Sequence, residues 1–281
     1  MGKKLALMQP YFFPYLGYYT IMKHVDYYVY FDTAQYMKGG WINRNRILKP
    51  DGADWQYITV PVKKHTAETQ IKDVQADLNL SSIHRILNQL SHYRKKAPYY
   101  DVVINIVKNA LQADKTISEV NVYADKLVCD YLSIKEPKYI LSKGEIDYIE
   151  ADSADEWGLN ICQAFPDVSE YWNVPGGKSF FDADKYAHCG LEIHFVEINL
   201  RIYRQKAIDK FIFGLSILDI MMFSSPKEIN DMLADFAFVS ENDCAPNIGA
   251  EATNIPEILG RVINSILRRL QVVLYERAVA A

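Results

Sequence analysis

The first 32 residues alternate between strand-like and loop-like composition, and this pattern limits the fold more than any other part of the sequence. Residues 3–8 form an apolar run that stops at Gln9, and residues 9–17 contain two prolines and a glycine, which favour a loop. Residues 18–25 then have a short helical pattern, and residues 27–31 are aromatic and β-branched, as in a strand. This order of strand, loop, helix and strand predicts a right-handed βαβ unit with parallel strands.

Periodicity and breaker residues predict the remaining elements. A hairpin is predicted around residues 43–48, and residues 171–182 read as a second loop, rich in glycine and aromatic residues. Further strands are predicted at 56–62, 137–142 and 192–197, and helices at 80–96, 99–113, 118–132, 153–165, 215–223 and 226–236. The predicted fold class is therefore α/β, with an N-terminal parallel βαβ (Rossmann-like) sheet followed by a mainly helical portion.

The C-terminal region differs in composition from the rest of the chain. Residues 239–254 are polar and contain proline and glycine, which marks a boundary, whereas residues 256–277 have the apolar stripe of an amphipathic helix. We predict one α/β domain over residues 1–238 and a C-terminal extension over residues 239–281. The helix would dock onto the domain, bind a partner, or form a homo-oligomer.

Charge and cysteine content exclude several classes of protein. The net charge is −4, from 31 basic and 35 acidic residues, so bulk electrostatics give no reason to expect nucleic-acid binding. No apolar stretch is long enough for a membrane span, and the N-terminal apolar run is too short for a signal peptide. The four cysteines lack CxxC spacing and the six histidines lack metal-ligand spacing, so we predict no disulfide framework and no metal site. These features favour a cytoplasmic protein.

The loop that follows the first predicted strand is the first candidate site. In open parallel sheets, ligands bind beyond the carboxyl ends of the strands, where Gln9 and Asp32 would become neighbours. Tyr11, Tyr15 and Gly17 belong to this loop, which precedes a helix N-terminus that favours a phosphate or carboxylate. The alternative is a structural turn packed with aromatic side chains.

The segment Trp41-Ile42-Asn43-Arg44-Asn45-Arg46 is the second candidate site. In an extended chain, alternation sends Trp41, Asn43 and Asn45 to one face, and Arg44 and Arg46 to the other. Two arginines on one face can grip a phosphate, while the asparagines could hydrogen-bond a sugar or base edge beside the indole ring. A solvated edge strand is the alternative reading.

Four further residues complete the predicted site. Asp32 ends an apolar strand, a position that suits a catalytic general base and equally a helix cap or salt bridge. Gln35 and Tyr36 add polar groups close by in the sequence. Lys178 lies in the glycine-rich loop, which we interpret as a substrate loop or a plain turn because it fails the spacing of a phosphate-binding loop.

Three of these stretches carry a resemblance to a known family. The runs Gln9–Tyr18, Gly40–Arg46 and Thr59–Val62 resemble the WbqC-like family, and so do Tyr93–Pro98, the 171–182 loop and Leu215–Asp219. The resemblance covers roughly residues 4–236, and its first two motifs are long and specific.

This resemblance implies a bacterial protein that works in surface-polysaccharide (O-antigen) biosynthesis. In this context our leading hypothesis is a transferase that acts on a small molecule, a nucleotide-linked amino sugar, by N-acyl or aminoacyl transfer. The position of Asp32 at the strand edge makes it the candidate general base. A non-catalytic binding or scaffold protein of a polysaccharide-assembly complex is the alternative, and an adenylyl-forming ligase or nucleotidyltransferase-like enzyme is a weaker one. Neither the residues nor the resemblance predicts a cofactor.

Overall fold

The predicted βαβ unit forms the start of the fold in the computed structural model, which describes residues 2–135, 139–205 and 211–239. Strand β1 spans Lys3–Met8, helix α1 spans Leu16–His24 and strand β2 spans Tyr27–Tyr30. The two strands pair in parallel, as predicted. The helix begins two residues before its predicted start, directly after Pro14 and the N-cap residue Tyr15.

The βαβ unit belongs to a six-stranded sheet with the order β5-β2-β1-β6-β7-β8. The added strands are β5 (Tyr139–Ile140), β6 (Val168–Asn173), β7 (Glu192–Ile198) and β8 (Phe236–Phe238). All neighbouring strands are parallel except β8, which pairs antiparallel with β7 at one edge. This mostly parallel sheet confirms the predicted α/β class and its Rossmann-like N-terminal arrangement.

Strand β6 lies next to β1 and was not predicted. The sequence assigns residues 171–182 to a loop, but residues 171–173 complete β6 and the loop starts only afterwards. Ser169 and Glu170 interrupt the apolar pattern that normally reveals a central strand, whereas Tyr171 and Trp172 are almost fully buried. The strand is therefore defined by its pairing with β1 and β7 rather than by a periodic sequence.

A separate two-stranded hairpin is formed by β3 (Arg44–Leu48) and β4 (Trp55–Thr59). The strands are antiparallel, and their register places Arg46 opposite Tyr57 and Leu48 opposite Trp55. The predicted strand at 56–62 ends early, at Thr59, because Pro61 cannot donate to a ladder of hydrogen bonds.

Helices cover the two faces of the sheet around two groups of buried residues. Alternation along β1 turns Ala6 and Met8 towards the larger group and Leu5 and Leu7 towards the smaller. The helices that follow α1 are α2 (Leu80–Leu90), α3 (Tyr100–Ala110), α4 (Ile117–Leu132), α5 (Glu156–Gln163), α6 (Ala183–His188), α7 (Ile217–Phe223) and α8 (Pro226–Leu233). They include the helical portion predicted between residues 80 and 132.

Two predictions fall partly or wholly outside this region. The amphipathic helix at 256–277 lies beyond the described residues, so the predicted extension at 239–281 and its role in a homo-oligomer stay predictions.

No helix within residues 2–135, 139–205 and 211–239 combines the length and apolarity that a bilayer crossing requires.

Candidate functional site

The carboxyl edge of the sheet brings the ends of β1 and β2 together. The Phe31 N–H donates to the Met8 carbonyl at 2.9 Å, so Gln9 and Asp32 leave the sheet at the same edge, as the sequence predicts. The strand order also reverses direction between β1 and β6. In open α/β sheets this reversal creates the crevice in which ligands usually bind.

Two loops leave the sheet at this reversal. The loop after β1 carries the predicted residues Gln9, Tyr11 and Tyr15, which are half-buried. After β6, a short 3-10 segment at Pro175–Phe180 carries the half-buried Lys178. Residues that are far apart in the sequence therefore lie on loops from neighbouring strands.

The Asp32 carboxylate is buried and fully engaged by hydrogen bonds. Its Oδ1 accepts from the Ser142 backbone N–H at 3.0 Å, and its Oδ2 accepts from the Ser142 hydroxyl at 2.6 Å and the Ser118 hydroxyl at 3.1 Å. These bonds join the loop after β2 to helix α4 and to the segment after β5. Asp32 could act as a general base only after exchanging a serine hydroxyl for a substrate group.

The tyrosines of the first loop pack against one another at the start of α1. The Tyr18 ring lies 5.0 Å from the Tyr11 ring and 5.8 Å from the Tyr15 ring, measured between centroids. Gly17 lies in the first turn, where an added Cβ would be 2.5 Å from the Tyr15 ring. Close packing against Tyr15 therefore accounts for this glycine.

Three of the predicted amide side chains hydrogen-bond to the backbone. The Asn45 Nδ2 donates to the carbonyls of Phe12 (3.1 Å) and Phe13 (3.0 Å), which fastens the hairpin to the first loop. Asn43 and Gln35 likewise donate to backbone carbonyls, those of residues 60 and 67. A sugar or base contact through any of these nitrogens would compete with such a bond.

Alternation along β3 places Arg44 and Arg46 on one face of the hairpin and turns Asn45 towards the core, as the sequence predicts. Trp41 differs from the prediction, because its ring lies beside Arg46 rather than on the Asn45 side. Regular alternation starts only at Arg44, where the strand begins, and residues 41–43 form a bend that redirects the indole ring.

The Arg46 guanidinium has an unusual environment. Its Cζ lies 5.2 Å from the ring centroid of Trp41 and 5.2 Å from that of Trp55, which are distances of cation–π contact. Its Nε is buried without a hydrogen-bond partner, and Arg46 forms no ion pair with any residue of the described ranges. Burial lowers the pKa of Arg46, but an arginine stays protonated at neutral pH.

Arg44 is held more firmly than Arg46. Its Cζ lies 4.0 Å above the Tyr57 ring, and its guanidinium donates to the carbonyls of Gly39 and Gly40. Burial raises the pKa of Tyr36, and the positive charge of Arg44 acts in the opposite direction, so these two side chains are also near each other. Four predicted residues therefore form two neighbouring pairs, Tyr36 with Arg44 and Trp41 with Arg46.

We call the group Trp41, Arg44, Arg46, Trp55 and Tyr57 the arginine–tryptophan face. Tyr57 completes it, with its ring centroid 5.0 Å from Trp55 and 6.1 Å from Trp41. Trp55 and Tyr57 were not predicted as site residues, although aromatic residues two apart in a strand share a face and could have been found.

Gly214 borders this face from a distant part of the chain. Its φ of +67° lies in the left-handed region, and an added Cβ would lie 2.9 Å from a terminal nitrogen of Arg46. The Ser216 N–H donates to the Arg46 carbonyl at 2.9 Å, which aligns this segment with β3. No local sequence signal connects residue 214 with residue 46.

An open groove of about 900 Å³ runs along helix α2 beside the hairpin. Its polar lining includes Gln56, Gln89 and Ser91, and each of these side chains donates to a backbone carbonyl. These bonds favour a structural role for the lining. The arginine–tryptophan face is the stronger candidate because it combines a guanidinium with aromatic rings, and the Arg46 Nε has no hydrogen-bond partner among the described residues.

The fold and this site define an α/β protein with a mostly parallel sheet and an attached hairpin, whose Arg46 contacts two indole rings and forms no ion pair among the described residues. The chain belongs to the WbqC-like protein family, whose sequence model matches residues 9–231. It is similar to the uncharacterized protein Rv1507c of Mycobacterium tuberculosis, with 28% identity over 236 residues, 82% of this chain and 97% of that protein. No solved structure gives a significant match.

Proposed function

We propose that this protein is a transferase that binds a nucleotide-linked amino sugar and adds an acyl or aminoacyl group to its amine, in bacterial surface-polysaccharide biosynthesis. The observation that carries the binding step is the Arg46 guanidinium, which lies between two indole rings with a buried, unsatisfied Nε. The polysaccharide context and the type of transfer rest on the resemblance to the WbqC-like family.

The argument for a phosphate begins with the cost of burial. A partly buried cation with an unsatisfied donor is unfavourable, and the penalty is relieved when an anion supplies charge and acceptor atoms. A diphosphate oxygen meets both needs at Arg46, because charge-assisted hydrogen bonds to phosphate are among the strongest in proteins. A solvated sulfate would meet them too, but it would make no use of the aromatic rings.

The argument for a nucleotide uses those rings. Trp41, Trp55 and Tyr57 are half-buried, so each keeps some surface available for contact. Base rings stack on such surfaces with about 1–3 kcal/mol per base. A ligand that joins a planar base to a diphosphate would therefore occupy the arginine–tryptophan face with both of its parts.

The chemistry would take place at the carboxyl edge of the sheet, to which Asn45 fastens the hairpin. The amine of the sugar would attack the carbonyl carbon of the acyl donor, forming a C–N bond while the bond to the leaving group breaks. Asp32 is our candidate to accept the amine proton. In that role it would exchange its bond from the Ser142 hydroxyl for one from the amine.

A ligand screen followed by a transfer assay tests this proposal. Thermal shift would be measured with UDP-, dTDP- and GDP-linked amino sugars, since a ligand that binds only the native state raises Tm. Mass spectrometry would then detect the added acyl mass on the sugar, with Asp32→Asn expected to abolish turnover and exposed Asp147→Asn to leave it intact.

Other outcomes of the same assays would favour the alternative functions. Release of pyrophosphate from ATP with a carboxylic acid would indicate an adenylyl-forming ligase. Thermal-shift silence towards every nucleotide sugar, together with copurification of other polysaccharide-assembly proteins, would indicate a scaffold and contradict the proposal.

A further inference from the structure

Asp219 is a fully buried carboxylate in helix α7. It is not among the predicted site residues. Its Oδ1 accepts from the Tyr93 hydroxyl at 2.6 Å, and its Oδ2 accepts from the Tyr203 hydroxyl at 2.7 Å. The Tyr93 oxygen in turn accepts from the Leu48 N–H at 3.0 Å. Asp219 is thereby connected to the end of β3, the strand that carries Arg46.

The network continues on the other side of the carboxylate. The Gln205 Nε2 donates to the Tyr203 oxygen and to the Ile212 carbonyl, both at 2.9 Å, and the Ile212 N–H donates to the Gln205 Oε1 at 2.9 Å. Ile212 lies two residues before Gly214, which borders the Arg46 guanidinium. The same carboxylate is thus linked to both chain segments that flank Arg46.

We infer that Asp219 is a positioning residue, which sets the spacing between β3 and the segment 211–216 and so holds the Arg46 guanidinium on the arginine–tryptophan face. The position of the Arg46 guanidinium can be tested without any ligand. The consequence of that position for ligand binding rests on the proposed function. Asp219 itself lies in the core and would act only through Tyr93, Tyr203 and their partners.

Burying a carboxylate is costly unless it is hydrogen-bonded, and Asp219 accepts bonds from two tyrosine hydroxyls. Burial raises the pKa of Asp219 to about 6, against the opposing effect of the hydrogen bonds from Tyr203 and Tyr93. Networks of this kind fix a geometry more rigidly than apolar packing, because each donor has one strongly preferred acceptor position. That rigidity suits a segment that must hold a guanidinium within a few tenths of an ångström.

Asp125 supplies a matched control within the same chain. It is also buried, and it accepts from two tyrosine hydroxyls, those of Tyr19 at 2.6 Å and Tyr30 at 3.0 Å. Its partners lie on α1 and β2, and its bonds lead neither to β3 nor to the segment 211–216. Asp125→Asn should therefore change the stability as Asp219→Asn does. Unlike Asp219→Asn, it should leave the Arg46 guanidinium in place.

The first test observes Arg46 directly and needs no ligand. In the ¹⁵N-labelled full chain, the Arg46 Nε–Hε resonance would be assigned by its loss in Arg46→Lys. We expect this resonance to move by more than its linewidth in Asp219→Asn and in Tyr203→Phe, and to stay in place in Asp125→Asn and Tyr30→Phe. Tyr203→Phe keeps the carboxylate and the ring, so it serves if Asp219→Asn fails to fold. An unmoved resonance in the folded Asp219 or Tyr203 variant would overturn the inference.

The second test uses uridine diphosphate as a probe. Asp219→Asn should raise its Kd by roughly fivefold, and the effect should vanish in the Arg46→Lys background, since residues that act through one another are not additive. An equal fold-change in both backgrounds would contradict the inference. If the wild type binds no diphosphate, the proposed function fails instead, and the resonance of Arg46 still decides the inference.

Discussion

Arg46 illustrates what can be predicted at the level of a single residue. Strand alternation predicts that Arg44 and Arg46 share a face, because this depends only on neighbouring residues. The contacts that make Arg46 unusual involve Trp55 on the partner strand and Gly214, which lies more than 160 residues away in the sequence. Such contacts depend on the tertiary fold, so the sequence pattern gave no indication of them.

Replacement of Gly214 should disturb Arg46 as well as the backbone. In Gly214→Ala, the left-handed φ and the contact of the new Cβ with Arg46 should together destabilise the protein by about 1–2 kcal/mol in urea unfolding. Gly144→Ala is the matched control, because Gly144 has a similar φ of +69° with nothing within 4 Å of the new Cβ. If only Gly214→Ala also weakens ligand binding, the contact with Arg46 is responsible, and equal effects on both would contradict this reading.

At the level of elements, the sequence predicts those strands and helices in which apolar residues recur with a clear period. Strands β1 and β2 have apolar or aromatic runs bounded by breaker residues, and helices α2, α3 and α4 have clear starts and stops. Strand β6 has no such run, and its place beside β1 depends on contacts between residues about 165 apart. The crevice where the strand order reverses could therefore not be located from sequence alone.

The attachment of the hairpin to the first loop can be tested at Asn45. Asn45→Ala removes the side-chain donor of the Phe12 carbonyl and one of the two side-chain donors of the Phe13 carbonyl, which keeps its bond from the Ser216 hydroxyl at 2.7 Å. It should lower the free energy of unfolding by about 1–3 kcal/mol. Asn160→Ala serves as control, because Asn160 also donates to two successive carbonyls but its bonds are exposed to solvent. Its effect should stay below about 1 kcal/mol, since water replaces the lost bonds. Similar losses for the two variants would argue against Asn45 as the attachment point.

At the scale of the whole molecule, the two buried carboxyls make stability depend on pH. Burial raises the pKa of Asp125 to about 7 and that of Asp219 to about 6, both above the ordinary value of 3.8. Between pH 4 and these values the native state binds more protons at these sites than the unfolded state. Both carboxyls therefore contribute a destabilisation that grows as pH rises from about 4 to about 7.

Asp125→Asn should remove the part of the pH dependence of stability that the Asp125 carboxyl contributes. Urea unfolding at several pH values between 4 and 8 should show wild type losing stability relative to Asp125→Asn as pH rises, by at most about 1.4 kcal/mol per pH unit. The exposed Asp147→Asn should run parallel to the wild type. A difference between wild type and Asp125→Asn that is constant across this range would show that the carboxyl keeps its ordinary pKa.

The central claim is that Arg46 binds the diphosphate of a nucleotide-linked sugar, and calorimetric titration of the best ligand from the screen tests it most directly. Lysine keeps the charge at this position but loses the planar stacking and the forked donors, so Arg46→Lys should raise Kd by about tenfold or more. The exposed Arg94→Lys should leave Kd unchanged. Equal Kd values for the wild type and Arg46→Lys would contradict the claim.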